Sequence, residues 1–195
     1  MEELKLVFID DEKSAEKCKL LAANHTDAVH LEGFSVSEHS PSIVANDETV
    51  ARQIFSPLHY DDSLDEIKAS AFTDVNNKGL SVNRLRLVEE RAIHEQGQSK
   101  ELADNTRLEL LDVDNINRRK YLGFTKANVQ DIRADLENEK RVFAIYDSAL
   151  LTTPSHADIC LIKQDVVDGL SKKSANMFRR KRLQEMFGKL QVGIN

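Results

Sequence analysis

The apolar runs of this chain are short, and strand-like and helix-like ones follow one another without a βαβ rhythm. A parallel sheet needs that rhythm, because each parallel connection is a long crossover, usually a helix. The pattern predicts an α+β fold with a mixed or antiparallel sheet. Arg141 to Tyr146 and His156 to Ile162 are the clearest strands, the second with Ala157, Ile159 and Leu161 on one face. Leu4 to Ile9 reads as a buried strand ending at Asp10 and Asp11, residues 13–23 as a helix, and Val29 to Val36 as another strand. Ser37 to Asn46 reads as loop, and Asp47 as the cap of a short helix through Val50, Ile54 and Phe55. Asp61 to Asp65 is a polar turn, Ile67 to Phe72 is extended, Asn76-Asn77-Lys78-Gly79 is a turn, and Leu80 to Val82 is extended. Helices are predicted over Leu85 to His94 and from a cap at Thr125 through Val129, Ile132 and Leu136. Residues 97–117 are polar, with some helical spacing over Leu102 to Leu111.

With 195 residues the chain suits one domain, burying roughly 70% of its unfolded surface. We expect the α+β domain over residues 1–170, and over 171–195 a basic amphipathic helix packed on it or extending from it. No apolar run approaches the roughly 20 residues that span a bilayer, so no membrane association is expected. The acidic start is unlike a secretory signal. The two cysteines, Cys18 and Cys160, are sparse usage that suits a reducing cytoplasm, and nothing in their spacing calls for a disulfide. Cys160 reads as a core residue.

Polar residues stand beside apolar ones at Arg52, His59, Ser70, Ser81, Arg84, His156 and Asp158. Such groups need internal partners or a ligand. Arg52 and Arg84 carry guanidinium forks suited to phosphate or carboxylate, and Ser81 and Asn83 share a strand face beside them. The alternative is that both arginines pair with acids of the acidic body. An unperturbed histidine changes charge near neutrality, which makes His156 the candidate general acid or base, with Asp158 two residues on to orient it. His-x-Asp is also part of an iron-binding triad, but that triad needs a later His and His156 is the last in the chain. A metal site with the earlier His59 stays open, and no metal ligand is assigned. The glycines form no phosphate-binding loop. Leu-Val-Phe-Ile-Asp-Asp-Glu resembles the first strand of response-regulator receiver domains. The phosphoacceptor Asp expected near residue 55 is replaced by Gln53-Ile54-Phe55-Ser56, so Asp10 and Asp11 read better as a helix start.

Residues 172–189 hold seven basic residues against Glu185, a local charge of +6 that leaves −12 for the rest. Arg179, Arg180, Lys181 and Arg182 are candidate contacts to nucleic acid or an acidic partner. Otherwise they are a solvated face or a cover for the domain's own acids.

The segments Arg52-Gln53-Ile54-Phe55-Ser56-Pro57-Leu58-His59, Ser70-Ala71-Phe72, Leu80-Ser81-Val82-Asn83-Arg84 and Thr153-Pro154-Ser155-His156-Ala157 resemble a family of small uncharacterised bacterial proteins. Its pattern is R-x-I-x-x-P-x-H, S-A-F, L-S-V-x-R and P-x-H-A, with Asn common where Thr153 stands here. The resemblance covers about 55 residues and implies no activity. Such proteins resemble those found among mobile and defence-related bacterial genes. An early Arg followed by a Ser-bearing strand is also loosely similar to the ADP-ribosyltransferase layout, though S-T-S and E-x-E are missing. The resulting expectation is a phosphate-bearing ligand, whether a nucleotide, an NAD-like molecule or nucleic acid, held by Arg52, His59, Ser81, Arg84 and His156. The alternative is a non-catalytic accessory subunit of a defence-type module with a protein partner from its operon. The cofactor, if any, is unknown.

Overall fold

The computed structural model describes residues 2–9, 11–110, 118–165 and 169–192. Four short helices open the chain: α1 (Glu2–Lys5), α2 (Asp11–Ser14), α3 (Lys17–Ala23) and α4 (His25–Leu31), with a 3-10 turn at Leu6–Phe8. Next come β1 (Thr49–Ser56), the two-residue strands β2 (Tyr60–Asp61) and β3 (Glu66–Ile67), a 3-10 segment (Ala69–Asn76) and β4 (Leu80–Arg84). The long helix α5 (Glu90–Leu110) leads to β5 (Lys120–Asn128) and α6 (Val129–Arg133). A small hairpin, β6 (Leu136–Glu137) and β7 (Lys140–Arg141), precedes β8 (Phe143–Tyr146), β9 (His156–Leu161) and α7 (Lys172–Phe187).

Five strands form one sheet in the order β5-β1-β4-β9-β8, every neighbouring pair antiparallel. The fold is therefore α+β with an antiparallel sheet and a basic C-terminal helix. Cross-strand partners share a face. One face carries Val50, Ile54, Val82, Ala157, Ile159 and Ile145, and packs on Phe72, Val75, Leu183 and Phe187. Each of the fully buried Val, Leu, Ile and Phe side chains among them contributes about 1.5–3 kcal/mol. Helix α7 starts at an N-cap, where Ser171 Oγ accepts from the Ser174 amide at 3.1 Å, and lies across the 3-10 segment with Phe187 against Phe72.

The other face is covered in two places. The N-terminal helices bring Leu21, Ala28 and Leu31 onto Ala144, Tyr146 and Cys160. Helix α5 brings Ile93 onto Ala51 and Phe124. Between these covers the middle of β4 and the start of β9 stay open, and their polar residues face that gap.

Several expected elements differ. Leu4 to Ile9 is helical, because only Leu4 and Val7 are buried, three apart, while Leu6 and Ile9 face outward. The Asp10 end of that expected strand lies outside the described residues. Val29 to Val36 begins within α4, whose buried positions are Ala28 and Leu31. The helix expected after Asp47 is β1, a strand buried along most of its length. Ile67 to Phe72 is extended only at its start and then turns into the 3-10 segment. Thr125 is no cap: it sits inside β5, and its hydroxyl bonds the Phe187 carbonyl to hold the end of α7. The helix expected to end at His94 runs through the polar stretch to Leu110, and residues 111–117 lie outside the described ones. Both cysteines are buried and free. No helix among the described residues is long and apolar enough to cross a membrane.

Candidate functional site

The site begins where the sheet comes apart. β1 and β4 pair at Val50–Arg84 and Ala51–Asn83, and the ladder ends there. Arg52 is the next residue, and its side chain spans the gap. Nη1 donates to the Ser81 carbonyl at 3.0 Å and Nη2 to the Ala71 carbonyl at 3.3 Å, with Asp74 3.7 Å away. The guanidinium stands in for the missing backbone bonds, yet its buried Nε has no partner. Burial works against its charge and Asp74 supports it.

Register sets the floor. Asn83 is opposite His156, and Ser81 opposite Asp158, so these four share the open face. Ser155 Oγ donates to Asn83 Oδ1 at 3.0 Å and fixes that amide. His156 Nδ1 lies 2.8 Å from the Ser148 carbonyl, which can only accept. Nδ1 therefore carries a hydrogen, with Ser148 Oγ also 3.1 Å away, and in the neutral form of the ring Nε2 keeps its lone pair. Nε2 is 3.9 Å from Asp158 Oδ1, beyond hydrogen-bond range. Asp158 is committed elsewhere, accepting from Lys17 Nζ at 2.7 Å in a buried pair. The hydrogen-bond partner of His156 is thus the Ser148 carbonyl, while Asp158, held by Lys17 through Oδ2, keeps Oδ1 at ion-pair distance from the ring.

His59 closes one end, with Nδ1 accepting from the Phe55 amide at 3.3 Å. Burial, then the charges of Arg52, Lys100 and Arg119, push its pKa down to about 3. His59 is a neutral wall rather than a proton carrier. Helix α5 supplies the far side through Gln96 and Lys100. Gly97 lets the helix come this close, because a Cβ there would stand 2.3 Å from the Tyr121 ring. Lys100 Nζ sits 5.6 Å from the centre of the Phe55 ring. Its partial burial, and then Arg52, hold the ammonium below the usual lysine range.

These residues enclose a cavity of about 270 Å3, lined by Arg52, Gln53, Phe55, His59, Ser81, Val82, Asn83, Gln96, Lys100, Thr153 and His156. Four of the six residues expected to bind or react therefore meet: Arg52, His59, Ser81 and His156. Two, Arg84 and Asp158, are not among them. Arg84 is fully buried, with Nε on Glu48 Oε2 at 2.8 Å and Nη2 on Glu48 Oε1 at 2.7 Å. Its remaining hydrogens go to the Ser42 and Ile43 carbonyls and Ser42 Oγ. It is a structural anchor, and the physical reason is saturation. Burial alone would raise the pKa of Glu48, but Arg84 and the Ala45 amide hold it below the carboxylate range. Ser70 is likewise local, donating to the Leu58 carbonyl at 3.0 Å.

The basic helix is corrected in part. Arg179 is buried against Glu137, its Nη2 2.7 Å from Oε2, and also reaches the Asp165 carbonyl. Arg182 pairs with Glu137 and Asp135. These two hold α7 on its own domain, so neither is free for a partner. Arg180 is half-buried, and Lys181 is exposed. No group of three or more His, Cys, Asp or Glu among the described residues could hold a metal.

Lys100 and Gln96 carry little signal in the sequence. Their one mark is Gly97 inside a helix with Gln96 and Lys100 one turn apart, which suggests a close approach. Neither a family model, nor a curated protein, nor a solved structure matches this chain.

Chemically the cleft is a set of donors. Among the described lining residues there is no carboxylate, while the chain carries a net charge of −6. Two cations, a hydroxyl pair and side-chain amides suit an oxyanion with several acceptor oxygens.

Proposed function

We propose that the protein binds a phosphate-bearing ligand in this cleft: a nucleotide, an NAD-like dinucleotide or one phosphate of a nucleic acid. Arg52 and Lys100 supply charge, Ser81, Asn83 and Thr153 supply directed donors, and Phe55 offers an aromatic face. The observation that carries the reading is the lining itself, cationic and donor-rich without a carboxylate in an otherwise acidic protein. The volume, about 270 Å3, is just under the usual range for small-molecule pockets, so the cleft grips the phosphate end of its ligand rather than all of it. Titration calorimetry with inorganic phosphate, AMP and NAD tests this. Binding that weakens at least ~10-fold in Arg52→Gln is expected from losing one charge-assisted contact. Equal affinity in wild type and Arg52→Gln removes the proposal.

A second reading, an interaction module, has its own support. Leu170, Met177 and Phe178 stay exposed on the α7 side, Met177 at 56% and Phe178 at 49%, beside Lys173 and Lys181. A partner there would present apolar and acidic groups. Binding of a co-purified protein that survives Met177→Ser/Phe178→Ser would eliminate this face.

A further inference from the structure

We propose that the cleft hydrolyses a phosphodiester, with His156 as general base and Lys100 as general acid; this assignment rests on the phosphate-binding reading.

Position is what assigns the roles. In-line displacement at phosphorus puts the attacking and leaving oxygens on opposite sides of the phosphoryl group. Base and acid must therefore stand on opposite walls, with cationic or donor groups between them. The strand order supplies this arrangement. His156 stands on β9, and Lys100 reaches in from α5, which lies over β1 and β5. Ser81 and Asn83 of β4 are between them, and Arg52 fills the split beside β4. His156 and Lys100 both line the cleft, one from the strand on one side of β4 and one from the helix over the strand on its other side.

Each end is prepared for its part. The Ser148 carbonyl holds the Nδ1 hydrogen of His156 at 2.8 Å, leaving Nε2 to accept a proton. Lys100 carries a proton whose release is eased by its partial burial and by Arg52. The step balances with water as co-reactant. Water gives one proton to His156 Nε2 while its oxygen bonds to phosphorus. The bond from phosphorus to the ester oxygen breaks, and that oxygen takes a proton from the Lys100 ammonium. The products are a phosphomonoester and an alcohol, and His156 returns its proton to Lys100 through solvent. Arg52, Ser81 and Asn83 stabilise the non-bridging oxygens.

The test uses the full chain and two probes. Bis(4-nitrophenyl) phosphate has a leaving group that departs without a proton, whereas thymidylyl-thymidine needs one. His156→Gln is expected to lose at least ~100-fold on both. Lys100→Met is expected to lose ~10-fold on the nitrophenyl ester and ~1000-fold on the dinucleotide, a split that a purely structural role would not produce. Lys100 is an exposed residue on α5, so its variant keeps the test valid should His156→Gln fold poorly by thermal melting. Inorganic phosphate binding is measured alongside. Phosphate binding with no turnover of either probe overturns the hydrolase and leaves the binding reading standing. Neither binding nor turnover removes both. Turnover in which Lys100→Met loses equally on both probes overturns the assignment of Lys100.

Discussion

Arg52 donates to the carbonyl of Ser81 at 3.0 Å across the point where β1 and β4 separate. A side chain thus completes a ladder that backbone begins. Arg52→Lys keeps the charge but cannot reach two carbonyls in fork geometry. We expect it to lose about 1–3 kcal/mol of stability, the cost of a buried group left unpaired. Urea denaturation measures the loss. Phosphate affinity should fall as well, and stability falling without affinity would separate the two roles.

Arg84 and Glu48 make the opposite forecast. Their pair is fully buried and saturated. Removing one member strands the other, so Arg84→Met should destabilise by ~3–5 kcal/mol. Arg84→Met combined with Glu48→Leu should recover much of that. Ligand affinity of the folded fraction should not change, since neither residue lines the cleft. Denaturation and calorimetry on the same samples distinguish this residue from Arg52.

His59 sets an acid limit. Its folded pKa is about 3, against about 6.5 when unfolded. Between these values the unfolded chain holds the extra proton. The stabilising contribution is complete above pH ~6.5 and is lost as pH falls toward 3, with a slope of up to ~1.4 kcal/mol per pH unit. Comparing wild type and His59→Gln by denaturation from pH 7 to pH 4 checks this. The variant should show the shallower decline, and parallel curves would contradict the assignment.

Gly97→Ala tests the seating of α5. Alanine favours an isolated helix by up to ~1 kcal/mol over glycine. Here its Cβ would stand 2.3 Å from the Tyr121 ring. We expect a net loss of about 1–3 kcal/mol from overpacking, with weaker phosphate binding as Lys100 is carried outward. A stabilised variant with intact binding would mean Tyr121 yields freely.

The sequence reveals this site better than the elements that carry it. Polar residues at Arg52, His59, Ser81 and His156 stand out because their neighbours are apolar, and that contrast survives an error in secondary structure. Spacing puts Arg52 on a helix, because Val50 and Ile54 are four apart. A spacing of four also returns to the same face of a strand, so period alone does not decide. The N-terminal segment misleads for the same reason, its six residues being too few to separate the two periods. Arg84 looks no different from Arg52, because Glu48 lies 36 positions away and no local pattern encodes that pairing. Lys100 is invisible within a polar helix, where one lysine reads as solvated surface. On α7 a single run mixes Arg179 and Arg182, turned inward to Glu137, with Lys181, turned outward.

The break between β1 and β4 makes this sheet two leaflets, β5–β1 and β4–β9–β8, riveted partly by one guanidinium. Any anion that draws Arg52 toward itself competes with the carbonyls of the protein's own backbone. If the proposed anion binds there, filling the cleft and opening the seam become one equilibrium, with a single guanidinium on both sides of it.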